Sequence, residues 1–421
     1  MSHYKKMAAI LIVIFIVGIM KIQAQSMDSQ IQSPETDSGL LRKPSSLPAA
    51  PQKDLTDVIV KLLDINHGVR TDTANNSSHK VHISAVPAAG YTMLTGLAGI
   101  IAANGAFNIG GPTASNISTI LTSITYSQYK QIILPLQANI WTLHNKYNIS
   151  TDWRYLNYPS YTYGLGGRSK LSNVDSIDYS YVRFYQTVSR YIAPNLYAGI
   201  GFDYDYLWNI VETNPTAGKK TTFERYGYTP TEVASGVTFN LLYDARKNSI
   251  NPDQGYFAHV VYRSNFTFLG SSNDWSSVQI DLRHYIRLPA SSDNVLAFWN
   301  FDWLTVGGKT PYLLLPSTGW DPYNNTGRGY VQGRFRGKDM VYLESEYRFG
   351  ITRNGLLGGV VFANAESFSK KLYKEGNIIN PGAGLGIRLK VNKFSKTNLA
   401  LDYGFGLEGS RGFAVNLGEV F

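Results

Sequence analysis

Period-two alternation, held over many long segments from about residue 80 to the end, most restricts what this chain can become. Gln131 to Trp141 sets Ile132, Leu134, Leu136, Ala138 and Ile140 on one face and Gln131, Gln137 and Asn139 on the other. Val278, Ile280, Leu282, Ile286 and Leu288 alternate with Gln279, Asp281, Arg283, Tyr285 and Arg287. Val341, Leu343, Tyr347 and Phe349 alternate with Tyr342, Glu344, Glu346 and Arg348. Successive side chains of a strand point to opposite faces, so each segment reads as a strand with one apolar face. A sandwich would alternate too, but strands of roughly ten residues or more have the length that crosses a bilayer at a barrel's tilt. Val81 to Thr92 is the least regular segment, because Pro87 confines it to an edge or a bulge. Bacterial single-chain barrels have an even strand number with both termini periplasmic. The expected fold is therefore all-β: a transmembrane, antiparallel, up-and-down barrel of about sixteen strands.

The region before the barrel reads differently. Lys5 and Lys6 precede an apolar run from Met7 to Met20, and Ala24 offers a small residue before Gln25. This predicts a secretory signal peptide over residues 1–24. Its removal takes away Lys5, Lys6 and Lys21 and no acid, lowering the net charge from +9 to +6. Residues 25–79 read as a polar periplasmic linker, and residues 80–421 as the outer-membrane barrel. Within the linker, Leu55, Val58, Ile59, Leu62 and Leu63 share one face of a short amphipathic helix from Asp54 to Ile65. Asp54 or Thr56 is available as its cap, and the helix is expected to pack on the barrel mouth. The absence of cysteine fits a closed barrel, whose strand edges are all paired. The 29 Tyr and 7 Trp suit the two membrane interfaces.

Signals for other chemistry are poor. Gly307-Gly308-Lys309-Thr310 resembles the end of a phosphate-binding loop, but Trp303 stands where the first glycine belongs. His79 and His82 lack further metal ligands. Gly382, Gly384 and Gly386 sit in a strand, where they relieve crowding. The basic residues are not clustered as nucleic-acid binding requires. No enzyme activity, metal or cofactor is expected. Two features do stand out. The connection from Gly307 to Lys338 shows no alternation, and loops that long usually serve a purpose. At the end of the chain, Phe413, Val415 and Leu417 precede Phe421 at period two. An aromatic terminus on an amphipathic final strand is the expected insertion signal, read by barrel-assembly machinery during biogenesis.

These residues carry a resemblance. Gly327-Arg-Gly-Tyr-Val-Gln-Gly-Arg-Phe-Arg-Gly337, followed by Tyr342-Leu-Glu-Ser-Glu-Tyr-Arg-Phe349, resembles the long-loop Arg-Gly-aromatic motif and next strand of the bacterial surface antigen superfamily. That superfamily includes the barrel-assembly insertase and the two-partner-secretion translocases. Tyr243 to Tyr256, and the closing run from Gly382 to Arg388 through Leu401-Asp-Tyr403, are similar to recurrent segments of the same group. The resemblance implies that the long loop folds into the lumen with Arg328 at its tip, beside Gly329 and Tyr330. Arg328 would pair with the lumen-facing Glu346, with Arg334 or Arg336 as alternative donors. The family's usual aspartate on the next strand is replaced by Asn364, and Glu366 stands where glycine is usual. A three-charge cluster is thus expected to shrink to a pair, with Asn364 accepting a hydrogen bond from Arg328. The resemblance implies a role in outer-membrane protein assembly or translocation. Its mechanism would be a weak seam between first and last strands, loosened by Pro87 and the glycines from Gly96 to Gly105. The partners would be outer-membrane lipid, and client outer-membrane proteins or a periplasmic partner. The linker lacks the pattern of client-receiving domains, so the chain reads as a barrel-only member. A passive pore or structural barrel, or a subunit of a larger complex, is the alternative.

Overall fold

A computed structural model describes residues 51–55, 57–58, 81–92, 95–111, 114–213, 220–370 and 378–421. The expected signal peptide and the helix beyond Val58 lie outside these residues. The strands begin with β1 (His82–Thr92), β2 (Gly96–Phe107), β3 (Ser118–Ser127), β4 (Ile132–Trp141), β5 (Tyr147–Asn157) and the short β6 (Ser160–Thr162). They continue with β7 (Asp175–Ala193), β8 (Leu196–Glu212), β9 (Glu232–Asp244), β10 (Gly255–Asn265), β11 (Trp275–Arg287) and β12 (Val295–Gly308). The last are β13 (Asp339–Gly350), β14 (Leu357–Ser369), β15 (Asn380–Asn392), β16 (Thr397–Phe405) and β17 (Arg411–Leu417). All belong to one antiparallel sheet. β6 prolongs β5 along the same neighbour, β7, so the wall has sixteen staves.

The burial pattern is inverted relative to a water-soluble protein. Along β13, Tyr342, Glu344, Glu346 and Arg348 are buried, whereas Val341 and Leu343 are 42% and 55% exposed. Ile101, Ile124, Ile200, Phe239, Val361 and Leu385 likewise point outward. Arg183, Asp205, Arg263, Asp281 and Arg283 are enclosed. An apolar exterior around a charged interior is what a bilayer requires of a closed sheet, since hydrocarbon satisfies no backbone or charged group. The barrel is transmembrane.

The long connection enters the lumen. Tyr312, Leu313, Leu314, Leu315, Trp320, Val331 and Phe335 come from it, and they pack with Trp299, Phe301 and Tyr342 of the wall into one apolar cluster. Ladders of paired residues join each stave to the next, from β1–β2 to β16–β17. The seam differs. β1 and β17 lie side by side without a ladder among the described residues, and β17 has only 7 residues against the 11 of β1. Pro87, with no N–H to donate, sits within β1 at this edge.

At the end that carries the termini, Pro51 to Val58 docks on the turns after β13 and β15. Asp54 caps the helix start: its carboxylate accepts from the Asp57 N–H at 3.0 Å, and Asp57 accepts in return from the Asp54 N–H at 3.0 Å. Lys390 donates to Gln52 at 2.7 Å, and Lys393 donates to both Asp57 oxygens at 2.9 Å. Partial burial raises the Asp57 carboxyl, but the hydrogen bond and charge of Lys393 outweigh it and hold Asp57 below its ordinary 3.8. A carboxyl lowered in the docked state contributes to docking at neutral pH and loses that contribution as pH falls through and below this value. Amide exchange at Asp57 and Val58 should therefore quicken relative to the barrel at pH 3, and Lys393→Ala should do the same at neutral pH. Equal protection under all three conditions would show that the ion pair does not hold the segment.

Candidate functional site

The site lies inside the barrel, where the tip of the long loop meets β13, β14, β15 and β16. A tight turn makes the tip. Asp321 accepts from the N–H groups of Asn325 and Thr326 at 2.8 and 2.7 Å, and Thr326 accepts from the Gly319 N–H at 3.0 Å. This turn presents Arg328 to the wall. Its guanidinium donates to Glu344, to Glu346 at 2.6 Å and to Asp402 at 2.7 Å. Its flat face lies 3.8 Å from the centre of the Phe362 ring. A planar fork can serve several carboxylates at once and stack on an aromatic ring, which an ammonium cannot do as well.

The expected simple pair is therefore too small, for a geometric reason. Period two puts Glu344 on the same face as Glu346, and the curvature of the closed sheet brings Asp402 across from β16. The cluster extends further. Arg348 donates to Glu346 at 2.5 Å, Arg388 donates to Asp402 at 2.5 Å, and Arg388 also reaches Glu419 at 2.7 Å. Three guanidiniums thus hold four carboxylates, all enclosed. Removing water from so many charges is expensive, and only mutual pairing offsets it.

The alternative donors do other work. Arg336 donates to the carbonyls of Tyr312 and Leu313 at 3.1 Å each and braces the base of the loop. Arg334 holds the Ser169 carbonyl at 2.8 Å and Glu408 at 2.9 Å, tying the loop to two neighbouring connections. Asn364 does not accept from Arg328. Its amide donates to the Arg328 carbonyl at 2.9 Å. An amide carries both donor and acceptor, and with both terminal nitrogens of the guanidinium committed to carboxylates, its NH2 turns to the Arg328 carbonyl. Glu366, not assigned from the sequence, accepts from the Thr318 hydroxyl at 3.0 Å and so grips the other limb of the loop.

Gly329 and Tyr330 complete the tip. Gly329 has a φ of +106°, and a Cβ on it would lie 2.6 Å from the Phe405 carbonyl. The facing Gly404 is equally constrained, since its Cβ would lie 2.6 Å from the Gly329 nitrogen. Loop backbone and wall backbone meet here because neither has a side chain. Tyr330 donates to the Pro381 carbonyl at 2.5 Å and accepts from the Leu407 N–H at 3.1 Å.

The terminal residues depart from the expected arrangement. Phe413 is outward, 51% exposed, and Val415 and Leu417 belong to β17 with it. Phe421 does not extend that strand. The ladder ends at Leu417, Gly418 turns the chain with a φ of +116°, and Phe421 enters the lumen. Its ring stacks on Trp299 with centroids 5.2 Å apart, and its main-chain oxygen accepts from Arg348 at 2.8 Å. Asn325 of the loop tip donates to the Val420 carbonyl at 2.7 Å. The last residues of the chain therefore join the same charged and aromatic assembly as the loop.

No family model and no curated protein sequence matches the chain. Among solved structures, CdiB from Acinetobacter baumannii superposes on 81% of this chain with a TM-score of 0.50 and 12% identity. It has the same barrel fold. This chain spans 60% of the length of that one. BamA from Haemophilus ducreyi lacking POTRA domains 1–3 aligns over 80% of this chain and 69% of its own, with 14% identity and a TM-score of 0.49.

Proposed function

We propose that this protein is a member of the bacterial surface antigen superfamily, resident in the outer membrane. It acts there in outer-membrane protein assembly or translocation. The observation that carries this reading is the seam. A strand edge left without a ladder in a bilayer offers backbone groups to a client strand, since hydrocarbon offers them nothing. The loop tip with Arg328, the wall carboxylates and Asn364 would lock the barrel's interior while the seam works. A passive pore agrees less well with a lumen occupied by the loop from Tyr312 to Phe335.

The chain has no cysteine, so one pair placed on β1 and β17 gives a single disulfide. Depleting the protein should lower the abundance of a class of other outer-membrane proteins before growth fails. The wild-type gene should restore them, and the cross-linked seam should restore them only after reduction. Full restoration by the oxidised form would refute the seam mechanism. An unchanged outer-membrane proteome on depletion would refute the assembly role.

A further inference from the structure

β1, β2, β3 and β4 contain not one Asp, Glu, Lys or Arg. Elsewhere the inner wall is densely charged. The neutral quarter of the barrel flanks the seam, and between it and the loop lies a cavity of about 390 Å³. Val86, Ala88, Ile100, Ala102 and Leu121 form an apolar stretch of its wall, and the facing loop adds polar side chains such as Asn324 and Gln332. Most of the charged groups that reach its border are already paired: Arg154 with Asp152 at 2.6 Å, and Arg328 with Asp402 at 2.7 Å. Arg411, the first residue of β17, stands at the end remote from the chain termini.

The cavity borders both faces of one strand. Phe413 and Val415, from the outward side of β17, line it together with Ala414 and Asn416 from the inward side. A space that touches both faces of a strand passes round its edge. The edge of β17 that faces away from β16 is the seam. The interior cavity and the lipid-facing surface are therefore continuous there.

We propose that this cavity takes one hydrocarbon chain of a membrane phospholipid, admitted through the seam between β1 and β17. Water finds partners on the loop side of the cavity, at Asn324, Thr326 and Gln332, but few along the apolar stretch of Val86, Ala88, Ile100 and Ala102. A polypeptide strand finds open backbone partners at the seam edge and none deeper in the cavity, because the backbone groups of β2, β3 and β4 are already spent in ladders on both sides. An acyl chain needs no such partners. It leaves one hydrocarbon environment for another and gains dispersion contacts with walls that otherwise face a void. The volume is of the order found in small-molecule sites, about 300–1,000 Å³. The alanines Ala88 and Ala102 leave this room where larger side chains would close it.

The inference rests on the membrane-spanning reading, and one experiment separates the two. The full chain is reconstituted in phosphatidylcholine vesicles that include a phosphatidylcholine with a diazirine at the end of one acyl chain. After irradiation, adducts are mapped by mass spectrometry. Outward Leu97, Ile101 and Ile124 should be labelled, and so should inward Val86, Ile100 and Leu121, while the inward charged wall at Asp281 and Arg283 stays clean. Ala102→Phe should cut the inward labelling severalfold and leave the outward labelling unchanged. Labelling of outward residues alone in the wild type would overturn the proposal and leave the membrane reading intact. No labelling of either set would overturn both. If Ala102→Phe does not fold, the wild-type pattern decides.

Discussion

Arg328→Ala should destabilise the folded barrel by about 3–5 kcal/mol, the cost of removing one partner from a buried ion cluster. The substitution leaves Glu344, Glu346 and Asp402 without the cation that touches all three. Arg348 and Arg388 compensate in part, since they already bind Glu346 and Asp402. Among the described residues Glu344 has no second cation and is left with the Tyr342 hydroxyl. The loss should therefore centre on Glu344. Arg328→Ala combined with Glu344→Gln should be less damaged than the sum of the two single changes, because the second removes the charge that the first strands. Arg328→Lys should recover only part of the stability, as one ammonium cannot span three carboxylates in this geometry. Denaturant unfolding of the refolded protein in detergent gives the stabilities, and protease cutting between Gly319 and Lys338 reports whether the loop has left the lumen. Wild-type stability in Arg328→Ala would mean that the cluster holds nothing in place.

The barrel was legible because its signal is redundant. Each strand repeats the same alternation, and an inward Glu344 or Asp281 opposite an outward Leu343 or Leu282 fixes the facing without knowledge of the neighbours. Val81 to Thr92 was the hardest strand to read, and it is the one at the seam, where a proline is tolerated because one edge has no ladder. The site was less legible because it is assembled by closure. Alternation tells which residues face the lumen, but not which of them the loop tip will meet. Glu344 was visible on the right face beside Glu346. Asp402 and Arg388 come from staves remote in sequence, brought to the loop tip by the register of β15 and β16, and Glu419 comes from the tail beyond β17. Asn364 was read with the wrong polarity because an amide can serve as either donor or acceptor, and the competing acceptors were unknown.

The chain end illustrates the same limit. Phe413, Val415, Leu417 and Phe421 fall on one face only if the strand runs on to the last residue. Gly418 breaks it. The clue was present in the sequence, since a glycine followed by Glu419 is a poor continuation of a lipid-facing strand, and Glu419 has its cation, Arg388, inside.

Phe421→Ala should destabilise the folded, purified barrel by about 3–4 kcal/mol, in the range for deleting a buried aromatic ring. The ring is 3% exposed and packs on Trp299 and Tyr285, beneath the Arg348 guanidinium. Its loss opens a void in the lumen cluster and loosens the tail that Asn325 and Arg348 hold. The loop tip should then become more accessible, because Asn325 shares its hydrogen bond with that tail. Phe413→Ala is the control. That ring is outward, touches Tyr403, and is half exposed to lipid, so its removal should change stability by less than about 1 kcal/mol. The comparison separates a structural role from an addressing one. If Phe421 serves only as the signal recognised during insertion, Phe421→Ala refolded in detergent will unfold at the same denaturant concentration as the wild type while its yield in the cell falls. If the ring also seals the junction of loop, wall and seam, stability and yield will fall together, and the loop will be cut faster in the refolded protein.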